Sequence, residues 1–71
     1  METWKQIADY LDEKGISQKF ISDKTGISAP ILNMSLHGKR KLTLGEYAAI
    51  CYVLGVDTNY FLKPRVPEEI K

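Results

Sequence analysis

Few side chains in this 71-residue sequence are of a type that could carry out catalysis, and their spacing does not favour it. His37 is the sole histidine, and no serine, cysteine or carboxylate stands at a spacing that would make a proton relay with it. A phosphate or solvent contact suits it better. Cys51 is the single cysteine, so an intramolecular disulfide cannot form and the thiols are too few for a structural zinc site. It falls on an apolar helical stripe, where a small buried hydrophobe is expected rather than a reactive thiol. The carboxylate pairs Asp12/Glu13 and Glu68/Glu69 are adjacent in sequence, which points them apart on a helix and leaves them solvated on a tail. No catalytic residue, metal, cofactor or small-molecule substrate is expected, and the chain reads as a non-enzyme.

The cations are more informative. The net charge is only +1, yet between Lys14 and Lys41 six cationic residues face Asp23 alone, a local +5 that leaves −4 for the remainder. Such a split suits one face made for phosphates, and equally a solvated lysine-bearing surface. Trp4, Tyr10, Tyr47, Tyr52, Tyr60 and Phe61 are too scattered to form a base-stacking platform, which argues against single-stranded RNA.

The elements that must position these residues are helical. Apolar residues recur at helical spacing in short blocks, without the sustained alternation of a half-buried strand. The first block places Trp4, Ile7, Ala8 and Leu11 on one stripe, with Thr3 and Gln6 as a capping box and Gly15 as its stop. A second, short helix follows Ser17 as N-cap, is anchored by Ile21 and ends at Gly26, where Ser22 is small enough for another helix to approach. Ser28 then offers an N-cap and Pro30 is tolerated in the first turn, predicting a third helix over 28–36. Thr43 and Glu46 form another capping box for a helix carrying Leu44, Tyr47, Ala48, Cys51 and Leu54, stopped by Gly55. Asp57 introduces a fifth, short helical turn through Tyr60, Phe61 and Leu62. Pro64 and Pro67 make residues 64–71 a tail. The expectation is an all-α, compact five-helix domain over 1–63. At 44% hydrophobic and 27% charged residues it is too apolar to stay disordered, and at this length a second domain is excluded. The longest apolar run, Ala48 to Leu54, is too short for a bilayer, and the start lacks the order of a signal peptide, so a cytoplasmic protein is expected and no membrane partner.

Two short helices joined through Ser22-x-x-x-Gly26, then Ile27-Ser28 opening the next and Gly38 after it, closely resemble the helix-turn-helix of the phage-repressor family, the Xre or lambda-repressor-like type. Leu54-Gly55-Val56-Asp57 and Tyr60-Phe61-Leu62 look like that family's later helices, so the resemblance covers nearly the whole chain before the tail. It implies a sequence-specific binder of double-stranded DNA, a transcriptional regulator and in the first instance a repressor, with 28–36 as the recognition helix in the major groove. Matched residue by residue, base contacts fall on Gln18, Ala29, Pro30, Asn33 and Met34. Phosphate contacts fall on Ser17, Lys19, Ser28, His37, Lys39, Arg40 and Lys41, for which a basic loop kept for solubility is the competing account. The base set is poor in donors and leans to A·T or shape readout. Tyr60, Phe61, Arg65 and Val66 stand where this family commonly dimerises, and closure of the core is the alternative reading of that segment. A symmetric dimer implies a near-palindromic operator.

The chain also departs from the family. An acidic residue near the end of the recognition helix is often paired with a basic one in the first helix, and here those positions hold Leu36 and Leu11, which are expected to pack together. Ser35 stands where a core hydrophobe is usual. Against the DNA reading stands a protein-interaction module on the same scaffold, presenting Pro30, Ile31 and Met34 to another protein.

Overall fold

The structure, a computed structural model, describes residues 3–62. Four α-helices make up the regular structure of those residues: α1 (Thr3–Lys14), α2 (Gln18–Thr25), α3 (Ala29–Ser35) and α4 (Leu44–Leu54). No strand occurs among them. The all-α expectation therefore holds, whereas the five-helix count does not. Over Asp57–Leu62 the backbone closes only i→i+3 bonds, Tyr60 N–H to the Asp57 carbonyl at 2.9 Å and Leu62 N–H to that of Asn59 at 3.1 Å. Asp57 Oδ1 accepts from Asn59 N–H at 3.2 Å, an Asx turn rather than a helix cap. The segment is a run of turns.

Local signals decide the helix boundaries. Ser17 caps α2 by accepting from Phe20 N–H at 3.0 Å, and Gly26 ends it in the left-handed region at φ 82°. Ser22 does more than permit close packing, because its hydroxyl donates to the Ile27 carbonyl across the turn. Thr25 Oγ1 donates to the Ile21 carbonyl at 2.7 Å and accepts from Ile27 N–H at 3.2 Å, so the α2–α3 turn holds its polar groups internally. The α4 capping box is complete: Thr43 accepts from Glu46 N–H at 3.1 Å while Glu46 Oε1 accepts from Thr43 N–H at 2.9 Å. At the other end of the chain, Thr3 lies inside α1 rather than flanking it as an N-cap.

Helix α2 packs against α3 and α4. One core joins all four helices through Ile7, Leu11, Ile21, Ile27, Leu32, Leu36, Tyr47, Ile50, Cys51 and Phe61. Leu11 and Leu36 are both buried in it, where the family's ion pair would otherwise have to be accommodated. Cys51 is buried and burial pushes its thiol pKa up, as expected of an inert core side chain. Tyr47 is likewise pushed up to about 12, mainly by burial, and its hydroxyl donates to the Thr58 carbonyl. Phe61 meets Tyr10, Tyr47 and Tyr60 edge to face at centroid distances of 5.5, 6.4 and 5.0 Å, so the turns after α4 are stitched back onto α1.

The α3–α4 loop is set by one residue. Gly38 has φ +75°, its N–H bonds to the Ser35 carbonyl at 3.3 Å, and Lys39 N–H reaches the Met34 carbonyl at 2.9 Å. The Trp4 ring lies so close that a Cβ on Gly38 would stand 2.7 Å from two of its carbons. Gly15, at φ +70°, has nothing within 4 Å of such a Cβ. Gly15→Ala should therefore cost about 1 kcal/mol of backbone strain, and Gly38→Ala roughly 3 kcal/mol because the ring must also move. Equal destabilisation of the two variants in urea denaturation would show that Trp4 does not brace the loop.

Candidate nucleic-acid interface

Helix α3 turns Leu32 and Ser35 into the core, and leaves Ala29, Pro30, Asn33 and Met34 exposed. The outward face is continuous and uncovered by the described residues. It is one residue shorter at each end than the predicted 28–36, because Ser28 and Leu36 are the flanking cap positions. The Ser28 hydroxyl makes no cap bond and is open to another partner. The Ser17 hydroxyl already accepts from Phe20, which still leaves its own O–H to donate.

Two of the matched base-contact residues are joined. Asn33 Nδ2 donates to Gln18 Oε1 at 3.3 Å, linking the first residue of α2 to the exposed face of α3. Asn33 keeps its carbonyl oxygen and one N–H, the acceptor–donor pair that matches N6 and N7 of adenine. Next to it, His37 Nδ1 lies 2.7 Å from the backbone carbonyl of Asn33, which can only accept, so a hydrogen bond there needs the proton on Nδ1. Lys39 follows, anchored through its N–H to the Met34 carbonyl. Gln18, Asn33, Met34, His37 and Lys39 thus form one connected group, while no contact ties Ser17, Lys19 or Lys41 into it.

The cations divide into free and engaged. Lys39 and Lys41 are exposed on the loop and make no ion pair among the described residues. Lys19 pairs with Asp23 at 3.2 Å on the surface of α2, an i,i+4 contact that water and salt weaken. Arg40 differs from the other loop cations. Its guanidinium forks onto Glu46, Nη1 to Oε1 at 2.9 Å and Nη2 to Oε2 at 3.1 Å, and Nη1 also donates to Ser35 Oγ at 3.0 Å. The same Glu46 oxygen accepts from Thr43 N–H. One side chain therefore fastens the end of α3 to the start of α4, with Lys39 and Lys41 on either side of it. This network explains Ser35: a polar residue fills a core position because it has a partner. The serine is a visible anomaly in the sequence, but its partner five residues away is not.

Of the expected dimer patch, Phe61 is 2% exposed and belongs to the core, whereas Tyr60 is 45% exposed. Arg65 and Val66 lie outside the described residues. Among the described residues, no cluster of three metal-ligating side chains occurs, and no helix is long and apolar enough to cross a membrane.

The network carries a pH signature. The Arg40 hydrogen bonds, followed by that from Thr43, hold the Glu46 carboxyl below its ordinary value of 4.5. A carboxylate lowered on folding stabilises the domain above its unfolded pKa, and that contribution is lost as pH falls through the folded one. Wild type should therefore lose more stability between neutral pH and pH values below about 4 than Glu46→Gln does. Parallel declines in acid denaturation series would remove the network from the acid response.

The sequence matches the helix-turn-helix family over residues 2–61. It is also 32% identical over 60 residues to the replication factor C small subunit of Pyrococcus horikoshii, an alignment covering 84% of this chain and 6% of that protein. No solved structure matches it. With the match spanning all four helices, and with a short α2, a glycine turn and an outward-facing α3 in the matching order, the chain belongs to the Xre or lambda-repressor-like helix-turn-helix family of DNA-binding regulators.

Proposed function

We propose that this chain is a sequence-reading binder of duplex DNA that acts as a transcriptional repressor of the phage type, occluding its operator by occupancy, in the cytoplasm where the chromosome lies. Residues 1–63 form the binding domain and 64–71 a tail. The observation that carries this reading is the Gln18–Asn33 bond, which holds an amide on the open face of α3 with an acceptor and a donor still unused. Inserted in the major groove, Asn33 pairs with adenine, Gln18 fixes its rotamer, and Ala29, Pro30 and Met34 add apolar contact such as to a thymine methyl. Lys39, Lys41 and Ser28 take phosphates, with Ser17, Lys19 and His37 at the margins. Arg40 positions the loop instead of gripping the backbone, because Glu46 already occupies its fork. Most of the affinity is then electrostatic and the sequence preference rests on few groups, which favours two copies acting on a near-palindromic site.

Selection of bound sites from random duplex DNA at two salt concentrations supplies the target. Replacing Lys39 and Lys41 by alanine should weaken binding to all sequences alike and lower the salt slope by roughly 0.9 for each phosphate that is no longer neutralised. Asn33→Ala should cost about 1–3 kcal/mol on the selected site and little on random DNA, with Gln18→Ala following in the same direction. Binding and slope unchanged in the lysine variant would instead favour an interaction module that uses the α3 face on protein.

A further inference from the structure

The start of α1, the α3–α4 loop, the start of α4 and the last described turn surround a groove of about 670 Å³. Its position follows from the Trp4–Gly38 contact, which sets the first turn of α1 against the loop. Small-molecule sites occupy ~300–1,000 Å³, so the size is that of a ligand pocket. The lining is mostly apolar: Trp4, Leu42, Leu44 and Leu62 stand around buried Tyr47. Leu44 is 82% exposed and Leu62 48%, which leaves two large apolar side chains of this lining facing water. The polar part of the lining is equally distinctive. Arg40 and Thr43 are spent on Glu46, and no buried side-chain polar atom of the described residues lacks a partner. Thr3 remains beside Trp4, together with Lys39 and Lys41, both lining the groove and both without an ion pair among the described residues.

We propose that this groove binds a small carboxylate with a plain hydrocarbon body, the body laid against Trp4, Leu42, Leu44 and Leu62 and the carboxylate between Lys39 and Lys41. Charge selects the head group. Two uncompensated ammonium groups stand in a lining that holds no carboxylate, so an anion is attracted and a cation repelled. The walls select the rest of the molecule, because a hydroxyl or amide placed along them would be desolvated without finding a partner. Hydrocarbon avoids that cost. The same lysines take phosphates in the function proposed above, and on that reading an occupied groove and a bound duplex compete for them. A carboxylate would then loosen the chain from DNA.

Isothermal titration calorimetry of the full chain with sodium hexanoate, octanoate and decanoate tests the site. Binding should saturate at a single molecule per chain, and each added methylene should tighten it about three- to fourfold. Lys39→Gln with Lys41→Gln keeps much of each side-chain stem while removing both charges, and should weaken octanoate at least about fivefold but leave neutral 1-octanol unchanged. Leu44→Glu places its charge where the α4 dipole favours it, so the variant should fold, which far-ultraviolet circular dichroism checks. It should weaken decanoate at least about tenfold. On duplex DNA, saturating decanoate should raise the Kd of wild type at least about threefold and leave that of the glutamine variant unchanged. Absence of saturation, unaltered decanoate binding in Leu44→Glu, or equal losses of octanoate and 1-octanol in the glutamine variant would overturn the site. Saturable binding with an unchanged Kd for DNA would overturn the competition. The calorimetric titrations contain no DNA, so failure of the site and failure of the DNA reading are told apart.

Discussion

Arg40 reaches back from the α3–α4 loop with a planar fork that meets both oxygens of Glu46, and its Nη1 finds the Ser35 hydroxyl as well. Three elements share that guanidinium: the buried end of the exposed helix, the loop carrying the free lysines, and the capped start of α4. An arginine suits the place because a lysine ammonium could not engage two carboxylate oxygens and a hydroxyl in one plane. Both partners remain half-buried, so desolvation is modest and the pair escapes the penalty that makes fully buried ion pairs poor stabilisers. The rotation of α3 about its own axis, and hence which residues it shows outward, follows from Ser35 being held inward.

The electrostatics of the face follow as well. The local excess of positive charge counted along the chain overstates what an approaching polyanion meets, because Arg40 and Lys19 are partly compensated by Glu46 and Asp23. Lys39 and Lys41 remain, on a loop whose backbone is fixed by Gly38 and by bonds to the end of α3. In the function proposed above, two cations on a fixed loop act as a locating device, and recognition falls to the small amide group of Gln18 and Asn33, which is held in advance and loses little rotamer freedom on binding.

Features written in adjacent residues are legible in the sequence. Gly15, Gly26 and Gly55 stop helices, Ser17 and Thr43 start them, and Glu46 completes its box, because caps and turns are decided within four or five residues. The Asp57 turn misleads for the same reason: an N-cap and an Asx turn use the same side-chain oxygen, and only the continuation of the backbone separates them. Contacts between distant residues are not legible. Gln18 and Asn33 are fifteen positions apart, Trp4 and Gly38 thirty-four, and nothing in their identities declares them neighbours. The pairing of Arg40 with Glu46 is likewise hidden among its lysine neighbours, and the burial of Phe61 is not declared by its place in the chain.

Trp4 is the sole tryptophan, and its indole rests on the backbone of Gly38, one residue before Lys39. The molecule thus contains a native optical probe beside the loop expected to touch phosphate. Any shift of that backbone alters the polarity around the indole, so occupancy of the loop can be followed by intrinsic fluorescence, without a label.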